Sequence, residues 1–279
     1  MLTIVLPKRL IKILSLVIVG LLLAHVSTQV LKFHFGHNYQ LGFELLFNLD
    51  RENNFPTWYA SSALLLCSAV LTLIWRLRKQ QADPDAGYWV ALAVIFLCLS
   101  IDESASLHET LVYHAVLNLL PTLDATGYLL YPWVLAGGAF ALVVGLSCLR
   151  FLFRLSSKTR WGFVLSGLVY VGGAVGLDLV EGKYEDQHGG REQFGYAMLV
   201  ALEESMEMFG ILLFLYSLYG YMTASLPAFG VVMERVALED RLSPDRETAV
   251  QVNGPIEIAF SGRAAPDAAV TRTQDSPRA

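Results

Sequence analysis

Six long apolar stretches follow one another along this chain, near residues 10–31, 57–77, 87–108, 128–150, 161–181 and 196–222. Each is long enough to cross a bilayer as a helix, which takes about 20 residues at about 1.5 Å of rise each. The pattern predicts an all-α polytopic membrane bundle of six transmembrane helices occupying residues 1–222. From Thr223 onward the sequence turns polar, Pro-containing and charge-mixed, so 223–279 is expected to be a separate, mostly disordered tail. Within it, V-Q-V-N-G-P-I-E-I has the form of a small hairpin about Asn253-Gly254.

Smaller features refine this outline. The segment Leu41 to Phe47 has the make-up of a short interfacial helix. Pro56 suits the first turn of the second span, and Trp58 and Tyr59 suit the headgroup level. Glycines cluster in the fourth and fifth spans (Gly137, Gly138 and Gly145, then Gly162, Gly167, Gly172, Gly173 and Gly176), where they favour close helix packing.

Composition agrees with the pattern. A chain that is 54% hydrophobic and only 16% charged is not an ordinary soluble globule. Cys67, Cys98 and Cys148 all fall in apolar spans without C-x-x-C spacing, and read as small buried hydrophobes. No basic stripe points to nucleic acid.

Charge distribution supplies orientation. Lys8, Arg9 and Lys12 precede the first span, Arg76, Arg78 and Lys79 end the second, and Arg150, Arg154, Lys158 and Arg160 surround the fourth-to-fifth turn. Those ten lie on one side; Lys32, Arg51, Lys183 and Arg191 lie on the other. The positive-inside rule then places both termini in the cytoplasm, in an inner or plasma membrane.

The candidate chemistry begins at Ser100–Glu109, S-I-D-E-S-A-S-L-H-E, at the end of the third span. No Lys or Arg occurs between Lys79 and Arg150. The acids Asp102 and Glu103 must therefore be protonated, metal-bound or paired with another helix, because a lone intramembrane charge is costly. On one continuous helix Asp102, Glu103, Ser106 and Glu109 would share an arc of about 120°, with His108 on another face. At the end of the fifth span, Asp178, Glu181, Glu185 and His188 would share about 80°. Glu185-x-x-His188 also has the i, i+3 spacing of carboxylate-bridged metal sites in bundles. The sixth span adds Glu203, Glu204 and Glu207 on an arc of about 100°.

All six histidines, His25, His34, His37, His108, His114 and His188, fall in the outer half of this topology. Polar groups from four spans thus reach one level and should meet in one pocket. The leading expectation is a metal-dependent membrane enzyme acting on a lipid-like substrate. Asp102, Glu103 and Glu207 would be its catalytic residues. His25, His108, Glu109, Asp178, Glu181, His188, Glu203 and Glu204 would hold a divalent transition metal, zinc, iron or manganese. A proton- or cation-coupled transporter and a non-catalytic, partner-binding subunit are the alternatives. The absence of a central proline from every span argues against the broken helices common in transporters. G-x-S-x-G, H-E-x-x-H and the histidine boxes of desaturases are absent, and the second E-x-x-H of di-iron oxidases is missing too.

Overall fold

The computed structural model describes residues 8–36 and 42–225. His37, the predicted hairpin and all of the tail beyond Ser225 lie outside the described residues. Among the described residues nine α-helices follow in order: α1 Lys8–Phe35, α2 Phe43–Phe47, α3 Phe55–Gln80, α4 Ala86–Ala105, α5 Tyr113–Leu119, α6 Trp133–Arg154, α7 Ser157–Val171, α8 Asp178–His188 and α9 Phe194–Ser225. No strand occurs among the described residues.

Among the described residues five helices are long and apolar enough to cross a membrane: Arg9–Phe35, Phe55–Gln80, Ala86–Ala105, Trp133–Arg154 and the continuous Ser157–His188. Their outward faces are apolar, with Leu142, Val143 and Leu146 on α6 all more than half exposed at 62%, 61% and 58%. A water-soluble surface would not leave such a continuous face uncovered.

Helix ends follow local chemistry. Asn54 caps α3, its side chain accepting from the Thr57 N–H at 3.1 Å, with Pro56 in the first turn as expected. Ser156 caps α7 in the same way through Thr159. Gly182 does not stop α8; the stop comes at Gly189, whose φ of +73° closes it in the left-handed conformation.

Helix α9 is the axis of the bundle. It packs on α1, α3, α7 and α8, and its buried face runs from Tyr196 to Met222. Helices α3 and α4 lie antiparallel, joined where Ser61 donates to the Ser100 carbonyl at 2.8 Å and Ser68 to the Ala93 carbonyl at 2.7 Å. Helix α7 runs against α9 at very close range. A Cβ at Gly210 would stand 2.8 Å from the Tyr170 amide nitrogen, so only glycine lets the two backbones approach there.

Candidate functional site

Two π-helical insertions shape the polar end of the bundle. Each adds a residue to a helical turn, and such bulges recur at functional sites. The first, Gly172–Leu177, separates α7 from α8. Gly173 lets α9 pass close beside it, since a Cβ there would lie 3.0 Å from the Glu203 carbonyl oxygen. Just beyond the bulge, Asp178 and Glu181 face Glu203. One carboxylate oxygen from each of the three lies within 4.8 Å of the others. Glu181 is 2% exposed, and its Oε1 has no hydrogen-bond partner. This partly buried group of three has a geometry that could hold a metal ion.

The second π-helix, His108–Val112, follows a break in the third span. Ser106 turns left-handed at φ +49° and ends α4 at Ala105, so the chain doubles back on its own last turn. Asp102 then accepts from both the His108 backbone N–H, at 2.8 Å, and the His108 Nδ1–H, at 3.0 Å. The expectation that His108 sits on a different face from Asp102 is therefore overturned, because that arc assumed an unbroken helix. The His108 ring packs against Trp133 at 4.6 Å, tying the break to the start of α6.

A polar rim closes over these groups. Arg191 contacts Asp50 at 3.7 Å and donates to Glu185 at 2.9 Å. Tyr131 donates to the same Glu185 carboxylate, and its hydroxyl lies 3.1 Å from that of Tyr196. Burial, offset only in part by Arg191, pushes the Asp50 carboxyl up to about 6 from its ordinary 3.8. Burial raises Glu52 as well, with Glu109 adding to it. An acid raised by folding holds its proton more tightly in the folded state. Asp50 therefore favours the fold at low pH, and that contribution is lost as pH climbs from about 4 to about 6. Thermal unfolding in detergent should show wild type losing stability relative to Asp50→Asn across that window, with the gap level above it.

The acids described above line one cavity of about 1090 Å³ together with His108, Trp133, Tyr131, Arg191 and Tyr196. Eleven carboxylates stand on its wall: Asp50, Glu52, Asp102, Glu103, Glu109, Asp178, Glu181, Glu185, Glu203, Glu204 and Glu207. Arg191 is the one Lys or Arg among the described residues that line it. Away from this end the wall becomes apolar, through Ile95 and Phe96 of α4, Val144 of α6, Val164 of α7 and Phe214 of α9.

Not every expected residue joins. His25 is fully buried, but its two ring nitrogens are committed to backbone. Nδ1 accepts from the Leu49 N–H at 3.0 Å and Nε2 lies 3.1 Å from the Ala197 carbonyl. It is a tie between α1, the 48–54 segment and α9, not a free metal donor. His188 is exposed, stacks on Tyr184 at 4.0 Å, bonds the Tyr184 carbonyl and lies off the cavity wall. The E-x-x-H spacing therefore brings Glu185 to the cavity without its histidine. Glu109 is exposed, and it stands on the wall without joining the group of three. His114 reaches the wall as well.

Sequence reasoning offers Arg191 as a partner for these acids but missed the rest of the rim, namely Asp50, Glu52, Tyr131 and Tyr196. All of them lie in connections or at a helix start, where periodicity carries no signal. Only the scarcity of basic residues at this end marks Arg191 out.

Residues 13–220 match a family model described as a domain of unknown function, DUF8692. The chain belongs to that family. The match covers the bundle from within α1 nearly to the end of α9, the cavity included. No curated protein and no solved structure matches the chain.

Proposed function

We propose that this chain is a metal-dependent integral membrane enzyme acting on a lipid-like or otherwise apolar substrate. One observation carries the metal: the Glu181 carboxylate, 2% exposed, has an unpartnered oxygen beside two further carboxylates. Burying such a charge is costly unless a cation compensates it. Asp178, Glu181 and Glu203 would hold that cation. The set offers oxygen donors alone, and the nitrogen ligands expected from His25 and His188 are engaged elsewhere. Among the expected transition metals this favours Mn²⁺ over zinc and iron, with Mg²⁺ and Ca²⁺ as oxygen-preferring competitors. A divalent cation there would supply Lewis acidity and lower the pKa of a coordinated water.

The chain's own residues would do the rest. Asp102 fixes the His108 ring through Nδ1, which orients Nε2 as the atom left to take or give a proton. Glu103, Glu204 and Glu207, on the same wall, are the carboxylates available to hold protons beside a bound substrate. The apolar part of the cavity keeps water away from its chain.

We place α9 as a sixth span and both termini on the cytoplasmic side, from the ten-to-four division of basic residues about the bundle. The site then opens near the outer face of a cytoplasmic-type membrane. A transporter would need polar groups continuing to the opposite end. Instead the opposite end of the cavity meets interlocked aromatic rings, Trp89 on Phe151 at 5.0 Å and Phe163 on Phe214 at 4.8 Å.

Calorimetric titration of detergent-purified, chelator-treated protein tests the reading. About one equivalent of Mn²⁺ should bind, saturably. No binding of Mn²⁺, Mg²⁺, Ca²⁺ or Zn²⁺, with no metal in the untreated preparation, would overturn it.

A further inference from the structure

Helix α6 is held at its two ends and stands off between them. At one end Arg154 pairs with Asp85, and Phe151 packs edge-on against Trp89 at 5.0 Å. At the other, Trp133 meets His108, and Gly138 abuts Val175 at what would be 3.7 Å from a Cβ. In the middle, Val144, Gly145 and Cys148 line the cavity, as do Phe96 of α4 and Gly167 of α7. A Cβ at either Gly145 or Gly167 would meet nothing within 4 Å, so these glycines leave open space where side chains would fill it. Leu142 and Leu149 line the cavity while being 62% and 44% exposed. Residues that line the cavity and are also this exposed mark α6 as its thin wall, on the apolar part of the bundle.

The two ends of the cavity differ in chemistry. The apolar part suits a hydrocarbon chain, and the whole cavity, at 1090 Å³, lies just above the roughly 300–1,000 Å³ usual for small-molecule sites. At the polar end, acceptors crowd the wall, with eleven carboxylates against one arginine. Leaving out Asp178, Glu181 and Glu203, which the proposed cation would neutralise, eight lining carboxylates still face the head, so an anionic head would be repelled by them, whereas a head that donates hydrogen bonds would be paired.

Resting on the enzyme reading above, we propose that the cavity takes one long-chain amphiphile, entering from the bilayer alongside α6, with an alcohol or amine head among the carboxylates. The chain lies between α4, α6, α7 and α9. The head reaches the level of Glu103 and Glu207, next to the proposed cation group.

The full-length protein in detergent can be titrated with pyrene-labelled long-chain alcohol, amine and fatty acid of equal length, following energy transfer from tryptophan. The alcohol or the amine should bind saturably and at least about tenfold more tightly than the acid, tenfold being about 1.4 kcal/mol; the stronger of the two names the head. Gly145→Phe and Gly167→Phe, on two different helices of the wall, should each weaken that binding about tenfold or more while Mn²⁺ binding stays unchanged. Equal or tighter binding of the fatty acid, or affinity untouched by both fillings, overturns the proposal. Chain binding in a protein that takes no Mn²⁺ would support the cavity's assignment and sink only the metal reading.

Discussion

Glu181→Gln is expected to weaken Mn²⁺ binding by at least about 100-fold, more than the 10- to 100-fold typical of losing an outer-shell partner. Glutamine keeps the volume but removes the negative charge and one of two acceptor oxygens. The oxygen concerned is the one left without a partner, so nothing else in the site replaces it. Asp178→Asn and Glu203→Gln should act in the same direction, because all three belong to one group within 4.8 Å. Metal-free stability should move the opposite way. Removing a buried, unpaired carboxylate from among like charges relieves a penalty, so the apo variant should melt higher than apo wild type. Calorimetry reads the first effect and a thermal-unfolding scan with chelator reads the second. A variant with unchanged affinity would remove Glu181 from the site.

His25→Ala should cost about 4 kcal/mol of stability without changing Mn²⁺ affinity per folded molecule. The substitution strips the partner from the Leu49 N–H and the Ala197 carbonyl at once, each buried group costing about 1–3 kcal/mol when left unpaired, and it opens a void in a fully enclosed position. Unfolding in denaturant and metal titration of the remaining folded fraction separate the two consequences. Normal stability with lost Mn²⁺ binding would return His25 to the set of ligands.

The contrast between these two residues shows what periodicity can see. His25 and Glu181 both entered as candidate ligands, each a polar group on an apolar helix at the same end of the bundle. Depth along a helix is legible from about 1.5 Å per residue. What a ring nitrogen finds at that depth is not, because the partners of His25 are backbone groups distant in sequence, in the 48–54 segment and in α9. His108 makes the same point at shorter range. Its pairing with Asp102 depends on the left-handed Ser106, a serine that nothing in the local pattern marks as a break.

The sequence by itself determined an all-helical chain with apolar segments of membrane-crossing length, and one end that concentrates acids and histidines but carries only four lysines and arginines against ten at the other. Those properties follow from hydropathy and from helical rise, which act within a segment and need no neighbour. Tertiary structure alone decided which acids share a site, how far α6 stands from its neighbours, and that Arg191, Asp50 and Tyr131 form the rim. Each of these depends on packing between elements far apart in the chain. Close approach at Gly173 and Gly210 and a bulge at Gly172–Leu177 set it, and a change of a single residue in register would turn Asp178 and Glu181 away from Glu203.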